Sequence, residues 1–222
     1  MQRALILAGL AISLAAAPAA AQNSCAEYNR TPKIGGWSEW QSKEGKLKLA
    51  AIGTEQKEGK ELYWIEMQGQ QGGPDGKGGI LQVLVPAFPY EPGNIQGMVM
   101  KTEGKPAMKA SDQMLGMMRS HMTDSPTAAA LRDCASWTKV GDESVTVPAG
   151  TFKTVHYKDT KSSNEVWVSK DVAFGLVKGN FPDKGSGEIL LVGNGTGAKS
   201  SITETPQEMQ MPGMEEPKKK SE

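Results

Sequence analysis

The sequence predicts an α+β protein that is mainly β, with antiparallel strands and a few short helices. Runs of alternating polar and apolar residues flank both sides of one central helical stretch. One run, Ile80 to Val85, is apolar on both faces and needs cover on both sides. The central stretch carries methionines at helical spacing.

The elements follow in order. Residues 1–21 read as a secretory signal peptide: Arg3, then an apolar run from Ala4 to Ala16, then small residues ending at Ala21. The run is too short and too alanine-rich for a membrane span. The mature chain is therefore expected to start at Gln22 and to work in the periplasm or outside the cell. Residues 22–36 form a lead-in, and Trp37 and Trp40 mark a first strand. Lys46 to Ala51 alternates as a half-buried strand does, and Leu62 to Met67 returns across a polar turn holding Gly59. Residues 69–79 (GQQGGPDGKGG) are a flexible loop. No Lys-Ser/Thr helix follows it, so it is not a phosphate cradle, and its single Asp is too little for calcium. After Ile80–Val85, the prolines at 86, 89 and 92 force an extended excursion through Phe88 and Tyr90. Met98 to Lys101 is a short strand.

Ser111 is the expected N-cap of a helix, with Asp112 favouring its start. Met114, Met117, Met118, His121 and Met122 then recur along one face. Ser125-Pro126 opens a second short helix, which carries Cys134. Beyond Trp137 the chain returns to β: Ser144–Val147, a Pro-Ala-Gly turn, Thr151–Lys158, Glu165–Ser169, Gly175–Lys178 and Glu188–Val192. Ser201–Thr203 is a last edge. The one domain spans 37–203. Residues 204–222 lack periodicity and read as a disordered tail, dispensable from about Pro206.

Several function classes fall away. Lys plus Arg and Asp plus Glu both number 25. Without Arg3 the balance is 24 against 25, so no basic surface for nucleic acid is expected. No Gly-x-Ser-x-Gly or HExxH motif occurs, and only two histidines, His121 and His156. A Ser-His-Asp triad needs no adjacency in sequence, but the expectation is a protein that is not an enzyme and carries no cofactor. Glu39, Glu66 and Glu165 read as solvent-facing strand positions.

The two cysteines, Cys25 and Cys134, pair most simply as a disulfide in an oxidising compartment. Closing a loop of this length is worth up to about 4.7 kcal/mol in the chain-entropy view. A catalytic or metal-binding thiol is the alternative, without a CxxC neighbour or a nearby histidine to support it.

Seven methionines fall between Met98 and Met122. Three readings compete: plain core, an adaptable apolar binding face, and a soft copper site on Met114, Met118, His121 and Met122.

Taken in order, the β-meander, the Pro-rich segment Val83-Leu84-Val85-Pro86, the helical pair and the second meander resemble the periplasmic lipoprotein-carrier (LolA/LolB-like) superfamily. The phrases from Val145 to Phe152 and from Glu165 to Ser169 are similar to text in its secreted members. The resemblance implies a strongly curved half-barrel capped by short helices, with an apolar cavity between. The ligand is then a lipid or the acyl chain of a lipoprotein. The lining expected on this view is Leu84, Met98, Met100, Met114, Met117, Met118, Met122 and Trp167. No residue matches the arginine by which the carriers hold lipoproteins.

Overall fold

The structure is a computed structural model that describes residues 32–69, 78–123, 136–182 and 187–209, with backbone alone at 120–123. Twelve strands form one open sheet. They are β1 (Trp37–Ser42), β2 (Gly45–Lys57), β3 (Lys60–Gly69), β4 (Gly79–Val85), β5 (Gly97–Thr102), β6 (Met108–Lys109), β7 (Trp137–Val147), β8 (Gly150–Asp159), β9 (Glu165–Val168), β10 (Leu176–Phe181), β11 (Gly187–Gly195) and β12 (Gln207–Glu208). In chain order, a 3₁₀ turn at Pro92–Asn94 lies between β4 and β5, and the helix α1 (Asp112–Thr123) between β6 and β7.

The strand order is β12-β6-β5-β4-β3-β2-β1-β11-β10-β9-β8-β7. Two meanders are thus joined through the antiparallel pair β1–β11. The turns obey local chemistry. Glu58 and Gly59 both have positive φ (53° and 74°), the pattern of a two-residue hairpin whose twist matches its strands. The sheet curves far enough for the β7–β8 turn to reach back to β11, where Ala149 N–H donates to Leu191 O (3.2 Å).

The main core lies on one face. Leu49, Ile65, Val83, Val85, Met98 and Leu191 supply it from the strands, with Trp40 and Phe174 meeting edge to face. Helix α1 closes over it. Ser111 caps the helix as expected: its Oγ accepts from Met114 N–H (3.3 Å) and its carbonyl from Leu115 N–H (2.9 Å). The segment expected to form a second helix, with Cys134, follows in sequence. Both that segment and Cys25 fall outside the described residues, as does the signal segment.

The chain after β11 departs from expectation. Ser201–Thr203 is not a strand, and residues 204–209 are not a free tail. Gly35 and Gly197, both at φ 84°, approach so closely that a Cβ on Gly35 would sit 3.0 Å from Gly197 N. From there the segment crosses the face of β3, β4 and β5 opposite the main core. Ile202 packs in a slot with Val99, Ala107, Trp64 and Ile80. Then β12 pairs in parallel with β6, and Gln207 and Met209 N–H donate to Ala107 and Lys109 carbonyls (both 2.8 Å). This segment supplies the second cover that the two-sided strand β4 demanded. A strand this short has no sequence period, so its partner determines it.

Truncation should separate these parts. A chain ending at Met209 is expected to melt within a degree or two of the full chain. One ending at Ser200 loses the Ile202 slot filler and the strand pair. Burying a side chain of that size is worth about 1.5–3 kcal/mol, so its melting temperature should fall by several degrees in a thermal scan. Equal melts for the two truncations would show that the segment contributes nothing.

Candidate functional site

The candidate site is the methionine-rich part of the concave face, where α1 packs over the core beside β5 and the 3₁₀ turn. In β5, strand alternation sends Met98 and Met100 to the face of Val83 and Leu81, their register partners on β4. Met67 on β3 pairs with Leu81 and joins the same patch. Met98 is buried at 2 % exposure. Met67, Leu81 and Met100 are half-buried against the main core.

Helix α1 adds three of its described residues to this core. Leu115, 2 % exposed, is its buried anchor. Met114 and Met118, on either side of Leu115 along the helix, are half-buried against the core. Met117 points away, 49 % exposed. The buried stripe is therefore Met114, Leu115 and Met118, rotated from the all-methionine stripe the spacing suggested. The side chains of His121 and Met122 lie outside the described residues. Arg119 joins the helix to the preceding turn, its Nε donating to Ile95 O (2.7 Å).

Tyr90 and Phe88, from the Pro-rich excursion, close the patch on another side. Tyr90 directs its hydroxyl at Met67 Sδ (3.8 Å), and burial pushes its ionisation up to about 12. Phe88 packs edge to face on both Tyr90 and Phe174. Chemically the patch offers thioethers, aromatic rings and aliphatic carbon, with a neutral phenol as its polar group. Such a surface adapts to ligand shape because Met is flexible and polarisable.

Besides Met117, two strand residues of the expected lining lie elsewhere. Leu84 is buried on the opposite face of β4, sharing that face with Ile80 and Gln82. It packs where a Cβ on Gly97 would meet both Leu84 and Trp64. Trp167 is set in a polar cluster. Its ring stacks on His156 (4.3 Å, 12°), its Nε1 donates to Glu143 Oε1 (2.6 Å), and Lys178 Nζ sits 5.1 Å from its centroid. Val166 and Val168, on either side of it, face a satellite core with Tyr157. Both corrections have one cause: neighbouring strand residues point to opposite faces, so an apolar residue between two core residues points away from that core.

Glu66 is a further correction. It is 1 % exposed rather than solvent-facing. Its Oε1 accepts from Gln68 Nε2 (2.6 Å), and its Oε2 from Gln82 Nε2 (2.7 Å) and Ser201 N–H (2.9 Å). It holds the segment after β11 onto the sheet. On the same side, Glu39, Lys46, Lys48, Gln68, Ile80 and Lys101 line an open trough of about 530 Å³. Its charges are mixed, with Lys46 3.6 Å from Glu39 and Lys101 2.6 Å from Glu204.

No protein-family model matches the chain, and no curated protein matches it. Solved structures give distant likenesses. An exported-protein candidate with a YmcC-like fold from Bacteroides fragilis is 12 % identical, with a TM-score of 0.36, over 76 % of this chain and 99 % of that one. A lipoprotein candidate from Parabacteroides distasonis is 12 % identical, with a TM-score of 0.35, over 74 % and 97 %. A hypothetical protein of Chlamydia trachomatis is 10 % identical, with a TM-score of 0.44, over 79 % and 93 %. At these scores the likenesses say nothing of ligand or activity. No described helix is long and apolar enough to cross a membrane.

Proposed function

We propose that this chain is a binding or carrier protein of the periplasm or cell exterior, not an enzyme. It would hold an apolar ligand, a lipid or the acyl chain of a lipoprotein, between α1 and the concave face of β3–β5. The observation that carries this reading is the half-buried set Met67, Leu81, Met100, Met114 and Met118, all packed against the one core into which the helix sends Leu115. Each buried methylene of a ligand returns about 0.8 kcal/mol against the cost of displacing the helix. A long chain thus binds without a specific polar contact. The signal segment supports the location.

The thioethers of the same patch favour a second reading, a soft-metal site for Cu(I). Native mass spectrometry of protein purified from the periplasm distinguishes the two. The carrier reading predicts adducts of lipid mass that organic extraction removes. Copper adducts without lipid would replace it by the second reading, and bare protein in every preparation would count against both.

A further inference from the structure

We propose that residues 197–209 form an acid-released strap, which at neutral pH covers an apolar slot and the edge of β6. The proposal is independent of the carrier reading and rests on the opposite face of the sheet.

The strap is held at three places. Near its start, Ser201 N–H donates to Glu66 Oε2, and Ser201 Oγ and Ser200 Oγ accept from the Gln68 and Gln82 amides (2.6 and 2.7 Å). Ser200 Oγ also accepts from Ile202 N–H (3.1 Å) and donates to Ile202 O (2.8 Å), which shapes the bend. In the middle, Ile202 fills the slot of Trp64, Ile80, Val99 and Ala107. Towards its end, Glu204 receives Lys101 Nζ on both oxygens (2.6 and 2.8 Å), and β12 pairs with β6.

Two of these ties depend on carboxylates. Glu66 meets only donors, so a proton on it would displace one of them. Glu204 is held below the usual carboxylate range by its hydrogen bond to Lys101. A carboxyl group lowered by folding stabilises the folded form above its unfolded value and loses that stabilisation as pH falls through its folded value. A proton on either carboxylate would therefore weaken the strap's hold on the sheet. The other charged groups around the strap are Lys48 on β2, Glu103 and Lys105 in the β5–β6 turn, Lys109 on β6, and the strap's own Lys199 and Glu208. Among the described residues the slot and the main core are built of apolar side chains and the phenols of Tyr63 and Tyr90, which stay neutral on acidification, so the sheet should outlast the strap.

The test is a methyl NMR titration of the full chain from pH 7 downward. Ile202 reports the strap, and Ile65, with 0 % exposure, reports the core. The Ile202 methyl is expected to leave its position beside the Trp64 ring while Ile65 keeps its native shift. In Glu204→Gln the Ile202 transition should move to higher pH. Lys101→Gln should move it the same way, which guards against an effect peculiar to one substitution. Coincident Ile202 and Ile65 transitions, or an Ile202 midpoint unchanged in both variants, would overturn the proposal.

Discussion

Replacing Glu66 by alanine is expected to destabilise the protein by about 3 kcal/mol, since it leaves buried donors without an acceptor. For a chain of this size that corresponds to a fall in melting temperature of about 6–12 °C. The orphaned groups are the Gln68 and Gln82 amides and Ser201 N–H. Each has a hydrogen bond to replace. Glu66→Gln keeps the shape and one acceptor oxygen, but its amide hydrogens would face other donors, so its loss should fall between wild type and alanine. Urea unfolding with a shared slope would measure both. A cost under about 0.5 kcal/mol for alanine, the range of an ordinary surface change, would mean that water replaces the carboxylate and that it anchors nothing.

The second large effect belongs to Met118. Met118→Glu should abolish uptake of an apolar ligand, because a carboxylate placed against the methionine patch must be neutralised or drag α1 outward. Met118→Leu conserves volume, should cost less than about 1.5 kcal/mol and should keep most binding. If the patch is plain core, glutamate unfolds the protein and wild type binds no probe. If the thioethers serve copper, leucine lowers Cu(I) affinity while apolar uptake is unchanged. Probe binding, Cu(I) titration and a thermal melt on the two variants distinguish these outcomes.

Much of this architecture is legible in the sequence because strands announce themselves by alternation. The pairs β2–β3 and β7–β8 stand near the positions that their patterns predict, and the Ser111 cap fixes the start of α1. The site is less legible, for identifiable reasons. β4 is apolar at nearly every position, which hides which residues share a face; Gln82, on the face of Leu84, is the mark that separates Leu84 from Val83 and Val85. Val166 and Val168 likewise assign Trp167 to the other side of β9. Methionine spacing finds the helix but not its depth, because Leu115 lies within the stripe and takes the deepest place. Met67 belongs to the patch through pairing across β3 and β4, which no local pattern shows. The strap is the hardest element to read. Its order comes from Glu66, Lys101 and a slot in distant strands, and its own residues resemble a polar tail. The single clue was Glu66 itself, a carboxylate inside a run that is otherwise apolar on both faces.

On the proposed carrier function, the concave face beneath α1 takes up an apolar ligand. The most direct measurement is titration of the wild-type protein, after removal of co-purified lipid, with a fluorescent fatty-acid probe. Saturable binding at micromolar probe is predicted, displaced by unlabelled fatty acid and lost in Met118→Glu while Met118→Leu retains it. A folded wild-type protein that takes up no probe at micromolar concentration would contradict the claim.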